Sequence, residues 1–580
     1  MKFWTKTLAV AIVAIMICSL FSFVSFAADN GDFDTWDGTA DATWFDENTK
    51  EYQIDTAEKL AGLAELSASN KLDGYSFFVT KNMDLGGHEW KAIGPTYEKT
   101  FNGYIEGKLN GLEGEPVTVK NMTVSAAPNA NYGFIGTQSA GGIKNFTFVD
   151  CSLTSDNNTV GIAVGYVRKT ASVYENLIVV NSTVNCKGAQ YVGGVIGYEK
   201  STNTDITFKN LAFVGGSILS NGIYTGGVIG CAHNTPANFE NLYCSGTVDS
   251  SAQYVGGIVG GVLDAQTRTF KNCQFDGIVY GLLELEVGAM IGNTITGDGI
   301  KLSFENCVNT GVTRASCFEP IERDSSWVGA ISGNGAIEFT VTNCYDNSPA
   351  TYMVGRNNST NANCSTYKPT PVTFKQISNE VDALVNMTGL DFMNLWEARE
   401  NKTPVLSLVK DYEAGKYSAA DLSWFDADAT KEYAIENENQ LLGLAMLSYV
   451  YSPDEYTFKV ADSIKGMMTE EIFDEEFLSS FEENSGTTDT SATPETSATP
   501  ETTPAPETSA TPETTPATPA TTAKPDNTTA KPDNTTAKPN TTTAPSTNEN
   551  KGGGCGGFTV AASFLAIICA AGAAIVIKKK

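Results

Sequence analysis

Few residues in this chain could do chemistry. There are two histidines, His88 and His233. A zinc peptidase of the His-Glu-x-x-His type needs a second histidine one helical turn on, and "HEWKA" at His88 has none. A three-ligand catalytic zinc would have to recruit carboxylates or thiols, and no such spacing is visible. His233 in "CAHNTPAN" reads as a loop residue. No Gly-x-Ser-x-Gly is present, so a nucleophile elbow is unsupported. Glycoside hydrolysis would need paired carboxylates. Asp150, Asp249, Asp264 and Asp276 are candidates, but they form no repeated or clustered pattern among 67 acidic residues. "DNGDFDTWDG" from Asp29 is dense in acids, yet Trp36 stands where a calcium loop needs an oxygen. There is no Cys-x-x-Cys to suggest zinc or redox chemistry. No catalytic, cofactor-binding or metal-binding constellation emerges.

One motif looks like chemistry at first. "YVGGVIGY" begins at Tyr191 and "YVGGIVGG" at Tyr254, and Gly-Gly-x-x-Gly could be a phosphate cradle. Counting argues otherwise. The glycine recurs at Gly136, Gly165, Gly197, Gly230, Gly260, Gly292 and Gly333, with spacings of 29, 32, 33, 30, 32 and 41 residues. A nucleotide site needs one such loop, and no copy continues into Gly-Lys-Ser/Thr. A near-constant period marks a repeat architecture.

The other half of the unit is as regular. Asn145, Asn176, Asn210, Asn241, Asn272, Asn306 and Asn343 each follow an apolar residue two positions back and precede another. Those neighbours run from Ile143, Tyr174, Phe208, Phe239, Phe270 and Phe304 to Val341, and from Phe146, Leu177, Leu211 and Leu242 to Cys273, Cys307 and Cys344. Such short runs bounded by Gly and Asn read as strands. A unit of about 30 residues cannot bury its own apolar face, so neighbours must stack. The expected fold is mainly β, a parallel β-solenoid or β-helix. Its glycines permit tight corners, and its asparagines form a structural ladder in which each amide bonds the backbone of the next coil. A propeller blade would need four strands and about 40 residues.

The flanks suggest six segments. Residues 1–27 read as a secretory signal peptide, with Lys2 and Lys6 before an apolar run and "SFA" at the cleavage point. Residues 28–120 form an N-terminal α/β cap module, and 121–410 the solenoid with a C-terminal cap. Residues 411–485 repeat the cap module in truncated form. "DATWFDENTKEYQIDTAEKLAGLAELS" from Asp41 matches "DLSWFDADATKEYAIENENQLLGLAMLS" from Asp421. Residues 486–551 are a Thr/Pro-rich disordered stalk, able to span on the order of 200 Å if extended. Residues 552–580 hold a Gly-Cys junction at Cys555, an uncharged run from Phe558 to Ile577 long enough for a transmembrane helix, and a basic tail of Lys578, Lys579 and Lys580. This order resembles wall-spanning proteins of Gram-positive bacteria, although no Leu-Pro-x-Thr-Gly precedes the anchor.

Net charge is −29 with pI near 4.5, which argues against nucleic acid as a partner and suits an extracellular surface. Nine of the twelve cysteines fall between the signal and the anchor region. Cys273, Cys307 and Cys344 occupy a core position of the repeat, so most are expected as buried free thiols.

"YQIDTAEKLAGLAEL", "VTKNMDLGGHEWKAIG", the "YVGGVIG" series and the closing "LWEARENKTPVLSLV" with Trp396 and Pro404 resemble bacterial surface proteins carrying GLUG-motif repeats, over roughly residues 36–410. The resemblance implies an extracellular β-solenoid and supplies no catalytic residue. The expected function is a non-enzymatic adhesion or binding protein, displayed outside the cell and held by a C-terminal membrane helix. Its expected partner is an extracellular glycan, a host glycoprotein or a neighbouring cell surface. A β-helix lyase or hydrolase and a ligand-free spacer are the alternatives. An exposed aromatic stripe would favour a glycan, a groove with two carboxylates would favour hydrolysis, and a merely polar face would favour the spacer.

Overall fold

The computed structural model describes most of residues 32–356 and 387–481, and there the repeat winds into a parallel β-solenoid of about seven turns. One turn shows the plan. It contains strands Tyr191–Gly193, Ile196–Ser201, Thr207–Val214 and Ser217–Ser220. Each pairs in parallel with its counterpart in the next turn, as in Tyr191 with Tyr224, Ile196 with Ile229, Phe208 with Phe239 and Ser217 with Thr247. Four parallel sheets result, and a single apolar core runs inside them from Trp36 to Ile331. Tyr174, Phe208, Phe239, Phe270 and Phe304 form one buried column, with ring centroids 5.4, 5.7, 4.5 and 5.0 Å apart. That spacing follows the strand separation of about 4.8 Å, and burial of each ring contributes roughly 1.5–3 kcal/mol.

The asparagines stand in register and form a ladder, but not of the expected kind. Asn176 donates from Nδ2 to Asn145 Oδ1 at 2.7 Å, Asn210 to Asn176 at 2.6 Å, Asn241 to Asn210 at 2.7 Å, Asn272 to Asn241 at 3.1 Å and Asn306 to Asn272 at 3.2 Å. The bonds run side chain to side chain toward the preceding coil, not to the backbone of the next. The first rung, Asn145, donates to the buried carboxylate of Glu106 at 3.2 Å. Every one of these asparagines has positive φ, from 50° to 62°. A single left-handed residue interrupts the alternation of a strand, so the residues two before and one after can both point inward. Asn tolerates that conformation and its amide stacks, which accounts for both parts of the sequence pattern.

The glycines act by close approach. A Cβ on Gly230 would lie 2.4 Å from Gly197 O, and one on Gly260 would lie 2.4 Å from Gly230 O. Only glycine fits where the strand carrying Tyr191 turns into the strand carrying Tyr198.

The N-terminal module is continuous with the solenoid. Its strands Glu51–Ile54, Ser76–Val79 and Tyr104–Gly107 pair in parallel with one another, and the last pairs with Gly142–Val149. Its helix, Ala57–Ser67, is N-capped by the Thr56 hydroxyl and buries Leu60 and Leu63.

The second copy repeats the strand, helix and strand of the first. Trp44 and Trp424 each donate from Nε1 to the carbonyl three residues back, Asp41 or Asp421, at 2.6 Å. Its helix, Glu438–Ser448, joins strands Glu432–Ile435 and Thr457–Val460, which pair in parallel. Its core includes Val312 and packs against Ile278. These continue an outward row that reads Thr183, Ser217, Thr247 on earlier turns. The row turns apolar where the module docks. The closing segment lies along the flank of the asparagine sheet. Gln274 holds it by donating to Pro404 O at 2.9 Å and accepting from Leu406 N at 3.1 Å, and Trp396 is buried beside it.

The signal, stalk, Gly-Cys junction and anchor expected from the sequence lie outside the described residues, as do Asp264, Cys317 and Cys364. Among the described residues no helix is long and apolar enough to cross a membrane. The seven described cysteines are thiols outside disulfide bonds, six of them buried and Cys344 half-buried.

Candidate functional site

The two sheets that meet at the glycines form a concave corner, and the octet explains what fills it. Its first residue points outward from one sheet and its eighth from the other. The pairs, turn by turn, are Thr159 with Tyr166, Tyr191 with Tyr198, Tyr224 with Cys231, Tyr254 with Gly261 and Glu286 with Asn293. On the turn before, where the octet is one residue shorter, Asn131 donates to Thr137 Oγ1 at 2.7 Å across the same corner.

Tyrosines therefore run continuously along the corner. Ring centroids are 6.2 Å apart for Tyr97–Tyr166, 5.1 Å for Tyr166–Tyr198, 3.9 Å for Tyr198–Tyr191, 5.5 Å for Tyr191–Tyr224 and 4.9 Å for Tyr224–Tyr254. Tyr191 and Tyr198 are within 3° of parallel. Tyr224 lies over Gly261, where a Cβ would sit 2.3 Å from its ring. Tyr198 and Tyr224 are buried, Tyr166, Tyr191 and Tyr254 half-buried, and Tyr97 is 55% exposed. Stacked rings occupy one another's faces, so solvent meets ring edges and hydroxyls along the row and an open ring at Tyr97.

Burial disfavours ionisation of four of these phenols. It pushes Tyr166 up to about 12 and raises Tyr191, Tyr198 and Tyr224 as well. The Tyr198 hydroxyl and His233 Nδ1 share a hydrogen bond at 2.5 Å. Glu199 points into the core on the same strand and accepts from His233 N at 3.1 Å, fixing that strand end.

The other sequence candidates do not assemble. His233 ends the strand Ile229–His233, which corrects its reading as a loop residue. His88 packs edge-on to Trp36 at 5.7 Å. Asp150 is a turn residue with φ of 53°. Asp249 sits on Thr247–Ser250 between Leu219 and Tyr280, its Oδ1 buried without a hydrogen-bond partner, and burial pushes its carboxyl up to about 6. Asp276 accepts from Thr310 at 2.8 Å and Tyr243 at 3.3 Å, and burial raises it. None of these three is hydrogen-bonded to another. Among the described residues no three His, Cys, Asp or Glu side chains are placed to hold a metal ion. Sequence reading missed the corner because it took the octet's glycines as the signal. The tyrosines at its two ends were the signal for a surface.

No family model matches the chain. A protein named halomucin, from Haloquadratum walsbyi, is 27% identical over 236 residues, covering 40% of this chain and 2% of that protein. The chain thus spans a small fraction of halomucin's length. A Bacteroides ovatus crystal structure, provisionally described as an immunoglobulin A1 protease, matches with TM-score 0.38 and 18% identity over 61% of this chain and 92% of that one. Neither likeness places the chain in a family.

Proposed function

We propose that this chain is a non-enzymatic binding protein of the GLUG-repeat kind, displayed outside the cell and held by its C-terminal apolar segment, and that the tyrosine corner is its contact surface for a glycan. The continuous tyrosine row carries this reading. Successive turns lie about 4.8 Å apart, close to the length of one pyranose residue, so a chain running along the solenoid axis meets a tyrosine on each of the four consecutive turns from Tyr166 to Tyr254. Tyrosine edges and hydroxyls suit sugar C–H groups and hydroxyls together, and the rigid stack loses little entropy on binding. The dispersed carboxylates Asp150, Asp249 and Asp276 favour binding over hydrolysis.

A glycan array with the full-length chain tests this. Binding is expected to at least one linear polysaccharide, and Tyr97→Ala with Tyr166→Ala should lower it at least tenfold with unchanged circular dichroism. Absence of glycan binding would leave the tyrosines as a stacking device only. Deleting residues 552–580 should release the protein into the medium, and retention on cells would place the anchor elsewhere.

A further inference from the structure

Beside the tyrosine row lies a second row, two residues further along the same strands. Arg168 pairs in register with Lys200, and the same register continued places Lys200 beside His233. All three share the outward face of Tyr166, Tyr198 and Cys231, because Val167, Glu199 and Ala232 between them point inward and are buried. The Arg168 guanidinium lies 3.5 Å from the Tyr97 ring centroid and 5.7 Å from that of Tyr166, and donates from Nη1 to Tyr97 O at 3.0 Å. Arg168 is half-buried, and Lys200 and its neighbour Lys169 are exposed. Among the described residues neither Arg168 nor Lys200 takes part in a salt bridge. Two carboxylates lie close by in the chain, and neither forms a salt bridge with Arg168 or Lys200. Glu199 faces the core, and Glu98, next to Tyr97, accepts from Thr96 at 3.1 Å.

In a chain of net charge −29, two cations outside salt bridges stand in register along the aromatic corner. Resting on the glycan reading above, we infer that the ligand is an anionic polysaccharide. Its sugar rings lie along Tyr97, Tyr166 and Tyr198, and its acid groups are met by Arg168 and Lys200. Arg168 is held against the Tyr97 ring and carbonyl, which leaves further N–H donors for a carboxylate or sulfate. The negative remainder of the protein repels a polyanion, so recognition is confined to this strip and sensitive to salt.

The test is equilibrium binding of the full-length chain to four polymers: polygalacturonate, its methyl ester, dextran sulfate and a single-stranded oligonucleotide. Polygalacturonate or dextran sulfate should bind at least tenfold tighter than the methyl ester, and the stronger of the two identifies the acid group. Raising salt from 50 to 500 mM should weaken that binding. Arg168→Ala with Lys200→Ala should abolish the preference for charge while leaving the circular dichroism of the fold unchanged. Arg168→Lys should restore part of it. Equal binding of charged and neutral polymers, lost only on tyrosine substitution, would overturn this inference and leave the glycan reading standing. Binding to none of the sugars would overturn both. Equal affinity for the oligonucleotide would show generic polyanion attraction and overturn the assignment to a sugar.

Discussion

Replacing Asn241 separates the two jobs of the asparagine ladder. Asn241 is 6% exposed with φ of 57°, donates to Asn210 at 2.7 Å and accepts from Asn272 at 3.1 Å. Asn241→Ala removes both bonds, each contributing about 1 kcal/mol net. It also puts an ordinary side chain in the left-handed region, which costs about 1–2 kcal/mol. The expected loss is about 3–4 kcal/mol. Asn241→Gly loses the same two bonds without the backbone cost, so it should lose about 2 kcal/mol and rank above Ala. Urea unfolding of the full chain, followed by circular dichroism, gives the ranking. Amide exchange at Asn272, whose N–H bonds Glu305 O at 2.9 Å, reports locally, since repeat arrays need not unfold in one step. An Ala variant within about 0.5 kcal/mol of wild type would show that the ladder carries no weight. A Gly variant less stable than Ala would refute the left-handed kink as its reason.

Gly230→Ala should destabilise by about 3 kcal/mol or more, because its Cβ would meet the Gly197 carbonyl at 2.4 Å and backbone cannot yield cheaply. Gly466→Ala, with no atom within 4 Å, is the matched control and should change stability by less than about 0.5 kcal/mol in the same unfolding assay. Asp249 is raised by burial to about 6, so the folded state holds its proton more tightly than the unfolded one. Its contribution is fully present below about pH 4 and lost as pH rises through about 6. Asp249→Asn should therefore gain stability over wild type between pH 4 and pH 7, and a pH-independent difference would contradict this. Gln274→Ala should loosen the closing segment, seen as faster proteolysis near Pro404 with the solenoid amides still protected.

Much of this fold was legible because the repeat imposes the same demand on every turn. The period, the buried residues flanking each asparagine and the in-register ladder follow from residues that cannot vary without breaking a stack. What was hidden is of two kinds. The direction of the Asn bonds depends on a left-handed kink, and the non-alternating pair such as Tyr174 and Leu177 around Asn176 was its trace. The flank contacts at Gln274, Ile278 and Val312 join segments more than 100 residues apart, so no periodicity carries them. The corner lay between. Tyr191 and Tyr198 are seven residues apart, and only the turn at Gly193 makes them neighbours 3.9 Å apart.

The most direct measurement follows one glycan through both questions. A linear polysaccharide that binds the full-length chain is incubated with wild type and with the Tyr97→Ala/Tyr166→Ala variant, and bound fraction and chain length are measured together over days. Corner binding without turnover predicts strong retention by wild type, at least tenfold weaker retention by the variant and an unchanged length distribution in both. Shortened chains with wild type, or equal retention by the variant, would contradict it.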